Sequence, residues 1–99
     1  MVSREGPYKT GLKHRIEALL PGSVIVKLDS ADLQGIPDML ILYLGRWAAL
    51  EVKISPTARI QPNQEYWIGV LGDMSFAAFI NPENEREVLD ALYQALQSR

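Results

Sequence analysis

Gly35-Ile36-Pro37-Asp38-Met39-Leu40-Ile41-Leu42-Tyr43-Leu44-Gly45-Arg46-Trp47-Ala48-Ala49-Leu50-Glu51-Val52-Lys53 is the stretch that decides the fold. Two apolar runs flank a tight Gly45-Arg46 turn, so residues 39–44 and 47–52 read as the strands of a hairpin. A carboxylate, Asp38, stands at the start of the first run, and Glu51-Val52-Lys53 ends the second. Reversal around Gly45 brings Asp38 within about one residue of the position opposite Glu51. Glu51 and Lys53 share a face of their strand, and Val52 points the other way. Two carboxylates and an ammonium at one point in a low-dielectric sheet are a poor way to stabilise a fold. They are a good way to hold a divalent cation and activate a water.

The plainer reading of Glu51 and Lys53 is an ordinary charged pair on the solvent side of a strand. Two features weigh against it. Trp47-Ala48-Ala49-Leu50 shows no alternation, so both strands are expected to be buried on both faces. Asp38 stands at the matching position of the partner strand. Pro37 pre-sets the backbone before it, and Gly35 lets the loop pass close to a neighbour.

Outward from the hairpin, residues 8–20 carry Tyr8, Leu12, Ile16, Leu19 and Leu20 at helical spacing, ended by Pro21-Gly22. Ser23 to Leu28 is β-branched and reads as a strand. Residues 60–71 read as a helix with Pro62 in its first turn and Gly72 near its end. Ser75 to Ile80 is a short strand. Asn81-Pro82-Glu83 reads as a helix start, followed by an apolar face of Val88, Leu89, Leu92, Ala95 and Leu96. The order is α-β-β-β-α-β-α. Short connections make the first three strands antiparallel, and the helix after the third lets the fourth return parallel to it. The expected class is α/β with a mixed central sheet, one domain over residues 1–99.

Composition narrows the chemistry. With 47% hydrophobic and 22% charged residues, the chain is expected to be globular. It has no cysteine, so thiolate metal sites and disulfides are excluded, and any metal must be held by oxygen or by His14. No stretch is long enough to span a membrane and the N-terminus does not read as a signal peptide, which makes the cytoplasm the expected compartment. Residues 1–60 carry a charge balance of +2 and residues 61–99 of −4, so a polyanion is expected to meet the N-terminal part.

Pro37-Asp38, twelve intervening residues and then Glu51-Val52-Lys53 resemble the PD-(D/E)XK nuclease signature, and the element order resembles the restriction-endonuclease-like core of that fold. The short chain, Gly35-Ile36-Pro37-Asp38, Gly45-Arg46 followed by Leu50-Glu51-Val52-Lys53, and a downstream Gln look most like the small VRR-NUC proteins of phages and prophages, which are similar to Holliday-junction resolvases. The resemblance implies a Mg²⁺- or Mn²⁺-dependent endodeoxyribonuclease, with Asp38 and Glu51 as metal-binding carboxylates and Lys53 orienting the attacking water and countering charge on the phosphate. It places Val52 among the metal ligands and adds a glutamate from the first helix. Glu5 extends the stripe of Tyr8, Leu12 and Ile16 by one turn and is the favoured candidate for that glutamate. Glu17 lies with Lys9 and Lys13 on a solvated face, where an ion pair with Lys13 is the expected role. Gln64 resembles a glutamine of many relatives that bonds a carboxylate or phosphate; a surface place in the first helical turn is the equal alternative.

Lys27 ends its strand facing the same region and is a candidate phosphate ligand, or a snorkelling lysine. His14 reads as a surface residue, and Trp47, Tyr66 and Trp67 as core or dimer contacts. Arg59 is a candidate phosphate contact from the Ser55 to Arg59 loop. The expected partner is branched DNA, the expected assembly a homodimer, and no membrane or organic cofactor is expected. The alternatives are a nicking or restriction-like nuclease without branch preference, and a non-catalytic nucleic-acid-binding protein on the same fold.

Overall fold

The hairpin forms where the sequence implies it, with its turn one residue earlier than Gly45-Arg46 and its register shifted accordingly. In this computed structural model, which describes residues 4–97, Met39–Tyr43 (β2) runs antiparallel to Arg46–Val52 (β3), with Met39 opposite Leu50 and Tyr43 opposite Arg46. One further step along that register sets Asp38 against Glu51. The turn itself is Leu44-Gly45, because Arg46 already belongs to the strand. Both turn residues have positive φ, 53° and 76°. This is the type I′ geometry whose twist matches that of a two-stranded ribbon.

Val24–Lys27 (β1) pairs antiparallel with β2, and Phe76–Ile80 (β4) pairs parallel with β3, so the sheet order is β1-β2-β3-β4. The mixed α/β sheet is therefore as expected. Three helices complete the order: Glu5–Leu19 (α1), Gln64–Met74 (α2) and Glu85–Gln97 (α3). Helix α1 supplies Leu12, Ile16 and Leu20, and α3 supplies Leu92 and Leu96, to a core closed on Met39, Ile41, Leu50, Val52 and Ile80. The strand residues of that core alternate in sequence, so they define one face of the sheet. Helix α2 lies against β3 and β4 on the other face, where Gln64 meets Glu51.

Helices on both faces explain why β3 is buried from Ala48 to Val52. They also correct the expectation for β2. Met39 and Ile41 are buried, but Leu42 is 39% exposed, because α2 does not extend over that half of the sheet. Strands β3 and β4 both meet α2 and α3.

Element boundaries moved for local reasons. Helix α1 starts at Glu5, earlier than expected, because Pro7 falls in a first turn whose amides need no helical partner. Helix α2 starts at Gln64 rather than at residue 60. Pro62 disfavours a helical Gln61, and Asn63 at the cap is left-handed, φ 70°. It runs through Gly72 to Met74. Asn81 does not open α3. Its Oδ1 accepts the amides of Glu83 (2.8 Å) and Asn84 (2.9 Å), while Asn84 Oδ1 accepts the Asn81 amide (2.7 Å), making a reciprocal turn that delivers the chain to Glu85.

Helix α1 carries candidate site residues, and α3 fixes its position. Glu85 of α3 accepts from Tyr8 Oη (2.8 Å) and from Arg15 Nε (2.6 Å) and Nη2 (2.9 Å). Burial pushes the Glu85 carboxyl up, but these bonds outweigh it and leave its pKa lowered. Among the described residues, no helix is long and apolar enough to cross a membrane.

Candidate active site

Asp38 ends the loop before β2, and its carboxylate turns toward the end of β3. Asp38 Oδ2 accepts the main-chain amide of Val52 at 2.7 Å, and the Asp38 carbonyl accepts the amide of Leu28 at 2.9 Å. Side chain and backbone are thus both tied to neighbouring strands. Val52 buries its side chain in the core, so only its main chain faces the site.

Glu51 sits one residue earlier on β3, on the face covered by α2, and is only 4% exposed. Gln64 Nε2 donates to its Oε2 at 3.0 Å. Burial pushes the Glu51 carboxyl up to about 8, and the charge of Asp38 and a hydrogen bond with it push the same way. Lys53 and Lys9 pull it down but do not prevail. Two carboxyl groups pressed together in the sheet repel when both are charged, which disfavours ionisation of Glu51.

Gln64 is 9% exposed, which removes its reading as a surface residue. Its Oε1 accepts Lys53 Nζ (2.7 Å) and the Gln61 amide (2.7 Å), so its amide group cannot turn over without losing three bonds. Lys53 Nζ also donates to the Arg59 carbonyl at 2.9 Å and lies 3.7 Å from Glu51 Oε2. Two of its three N–H groups are engaged in these bonds, and the ammonium also forms an ion pair with Glu51.

Glu5 reaches this cluster by a different route from the one expected. Its side chain is 46% exposed rather than turned onto the sheet. Its Oε2 lies 2.7 Å from Lys9 Nζ, and Lys9 Nζ in turn donates to Asp38 Oδ1 at 2.9 Å. Burial works against the Lys9 charge, but the bonds to Glu5 and Asp38 outweigh it and raise its pKa. Among the described residues no three His, Asp or Glu side chains close on one point. Asp38 and Glu51 form a pair, and Glu5 is joined to it through an ammonium.

Lys9 is the site residue that sequence reasoning missed. The sequence pattern places it on the solvated face with Glu17 and Lys13. The available signal was its spacing: it stands four residues after Glu5, where a helix brings side chains together. The expected Lys13–Glu17 ion pair does not form, and Glu17 is exposed, away from the carboxylates. His14 is exposed on α1. Lys27 lies at the end of β1, opposite Met39. Arg59 is exposed and contributes its carbonyl. Trp67 donates Nε1–H to the Gln34 carbonyl (3.1 Å) and packs edge-on against Tyr66, while Trp47 is half-buried.

The donor set is all oxygen: two carboxylates with an adjoining main chain. This fits a hard divalent cation such as Mg²⁺ or Mn²⁺ and not a soft one.

No protein-family model matches this chain, and no curated protein matches it. A solved structure does. It is a VRR_NUC domain, 26% identical, with a TM-score of 0.69, and the superposition covers 94% of this chain and 97% of that one.

Proposed function

We propose that this chain, a nuclease-type domain with the VRR-NUC restriction-endonuclease-like fold, is a metal-dependent endodeoxyribonuclease selective for branched DNA. The observation that carries the reading is the Asp38–Glu51 pair. A buried carboxyl raised to about 8 beside a second carboxylate weakens the fold. It becomes useful when a cation and a phosphate complete the charge balance.

Asp38, Glu51 and the main chain of Val52 would hold the cation. The chemistry that Mg²⁺ or Mn²⁺ supplies there is Lewis-acid polarisation of the phosphate and a lowered pKa for water. The protein's own groups supply the rest. The Val52 amide fixes the orientation of Asp38. Gln64 fixes Glu51 and Lys53 together, so carboxylate and ammonium keep one relative geometry. Lys53 directs its ammonium to the attacking water or to a phosphate oxygen and counters the negative charge that develops there. Glu5 and Lys9 border the pair from α1 and steady Asp38.

Branch selectivity and a homodimer belong together. One such domain has room for one site, and severing two strands at a junction needs two in matched geometry, which a two-fold dimer provides. A scaffold without catalysis is the second reading. The buried pair disfavours it, because a scaffold gains nothing from a strained carboxylate.

The test is cleavage of linear, single-stranded, flapped and four-way DNA with Mg²⁺ or Mn²⁺, alongside Glu51→Gln and Asp38→Asn. Cleavage by the native protein alone supports the reading. Near-normal cleavage by either variant sinks it at this site. A thermal shift with Mn²⁺ that disappears in Glu51→Gln separates an intact cation site from a scaffold.

A further inference from the structure

A groove of about 570 Å³ runs between α1 and β1 and ends at Asp38. Lys9, Thr10 and Lys13 of α1 face Ile25 and Lys27 of β1 across it. Three ammonium groups therefore line one depression. Lys9 is matched by Glu5 and Asp38. Lys13 and Lys27 form no ion pair among the described residues, and both are exposed.

The arrangement has a direction. Lys9 and Lys13 are one helical turn apart, with Cβ atoms separated by roughly 5–6 Å, so they mark successive points along the groove. Lys27 pairs with Met39, and the next residue, Leu28, donates its amide to the Asp38 carbonyl. Positive charge that no carboxylate among the described residues matches thus stands on both walls, at Lys13 and Lys27, while Glu5 and Asp38 balance Lys9 at the end beside the candidate catalytic pair. The groove wall between the charges is apolar at Ile25 and Met39. A ligand with regularly repeated anions and less polar groups between them suits this lining. A nucleic-acid strand has that chemistry, with one phosphate per residue and a sugar between.

We infer that the α1–β1 groove binds the sugar–phosphate backbone next to the scissile phosphate, with Lys13 and Lys27 as its phosphate ligands. The inference rests on the nuclease reading for the identity of the strand, but its contacts are separate from the catalytic ones. It also sets the path of the strand, which enters along α1 and reaches the reacting phosphate at Asp38.

Binding is measured by anisotropy of a labelled duplex in EDTA, across a range of salt, for the native protein, Lys13→Gln, Lys27→Gln and Arg86→Gln. Arg86 lies on α3, outside the groove, and is the charge-matched control. Each groove variant is expected to weaken binding several-fold and to reduce the salt slope by about 0.9, the value for one phosphate contact on duplex DNA. The control is expected to keep the native slope. Native slopes in both groove variants overturn the inference, even if the protein cuts DNA. Reduced slopes uphold it, even if no cleavage is found and the nuclease reading fails. Inorganic phosphate at matched ionic strength is the second arm. Displacement of the duplex by millimolar phosphate overturns a strand-length groove in favour of a single-anion pocket, and its failure to compete supports the strand.

Discussion

At the scale of single residues, Glu51 is governed by its proton. A carboxyl whose folded pKa is raised from 4.5 to about 8 holds a proton in the folded state that the unfolded chain has already lost. Its contribution to stability is present in full below pH 4.5 and is lost as pH rises through about 8. Glu51→Gln removes this dependence. It keeps the bond from Gln64, and its own amide donates toward Asp38 in place of the proton. In EDTA at pH 9, the variant is expected to melt above the native protein, by roughly 4–8 °C for each kcal/mol of repulsion relieved. The gap closes as pH falls toward 5. Parallel melting curves for the two proteins across pH would show that Glu51 is not strained. The α1 carboxylates give a second prediction. Glu5 is tied to Asp38 through Lys9, and Glu17 is tied to nothing in the site. Glu5→Gln is expected to lower single-turnover cleavage by about 10–100-fold, the range for groups that orient metal ligands. Glu17→Gln should stay within about twofold of native. A reversed ranking would mean that the α1 carboxylate acts from the wrong turn of the helix.

At the scale of elements, the site depends on how the loop before β2 meets the start of α2. Gly35 has φ 85°, and a Cβ there would lie 2.7 Å from the Asn63 carbonyl carbon and 2.7 Å from the Pro62 oxygen. These are backbone atoms that cannot rotate away. Gly35→Ala is therefore expected to push the start of α2 off the sheet and carry Gln64 away from Glu51 and Lys53. It should cost about 2 kcal/mol or more in denaturant unfolding, from the strained φ and the overpacking together. Cleavage should fall further than the loss of folded protein explains, and an unchanged rate per folded molecule would refute the coupling. The same region marks where sequence reading succeeds and where it stops. The hairpin and the approach of Asp38 to within about one residue of Glu51 were legible from a tight turn between two apolar runs, but the exact register was not, because Gly45 can be the first or the second residue of the turn and the choice shifts every pair. The double burial of β3 was legible from Trp47-Ala48-Ala49-Leu50. The exposure of Leu42 on β2 was not, because it depends on where α2 crosses the sheet, and no local pattern encodes a crossing. Lys9 escaped for a related reason. Its alliance with Glu5 depends on α1 starting before Pro7, and a proline so close to the start leaves that boundary open to two readings.

At the scale of the whole molecule, the question is what lies over the part of the sheet that α2 leaves bare. In so small a domain the surplus of large residues such as Tyr43, Trp47, Trp67 and Tyr93 is itself a reason to expect a dimer, with the acidic C-terminal half as a candidate contact surface. Of these, Tyr43 packs on the core and both tryptophans are half-buried, while Tyr93 on α3 stays 37% exposed. Val24 (54% exposed), Val26 (37%) and Leu42 form a patch on the open face of β1 and β2. Val24 pairs with Leu42, and β1 is an edge strand with unpaired backbone groups. A second copy related by a two-fold axis can answer both needs at once. Antiparallel pairing of β1 with its mate satisfies the edge and brings two uncharged patches side by side, a self-complementary contact that no net charge opposes. Light scattering at micromolar concentration is expected to report twice the chain mass. Val26→Glu places a charge at the centre of that contact, where each copy would face the other's carboxylate, and should return the mass of one chain with the fold intact by circular dichroism. If paired sites are what a junction requires, the same variant should lose its preference for four-way DNA over linear duplex while still cutting single strands. A native protein that is strictly monomeric and cuts linear duplex as readily as junctions would reject both the dimer and the branch selectivity, leaving a general endonuclease.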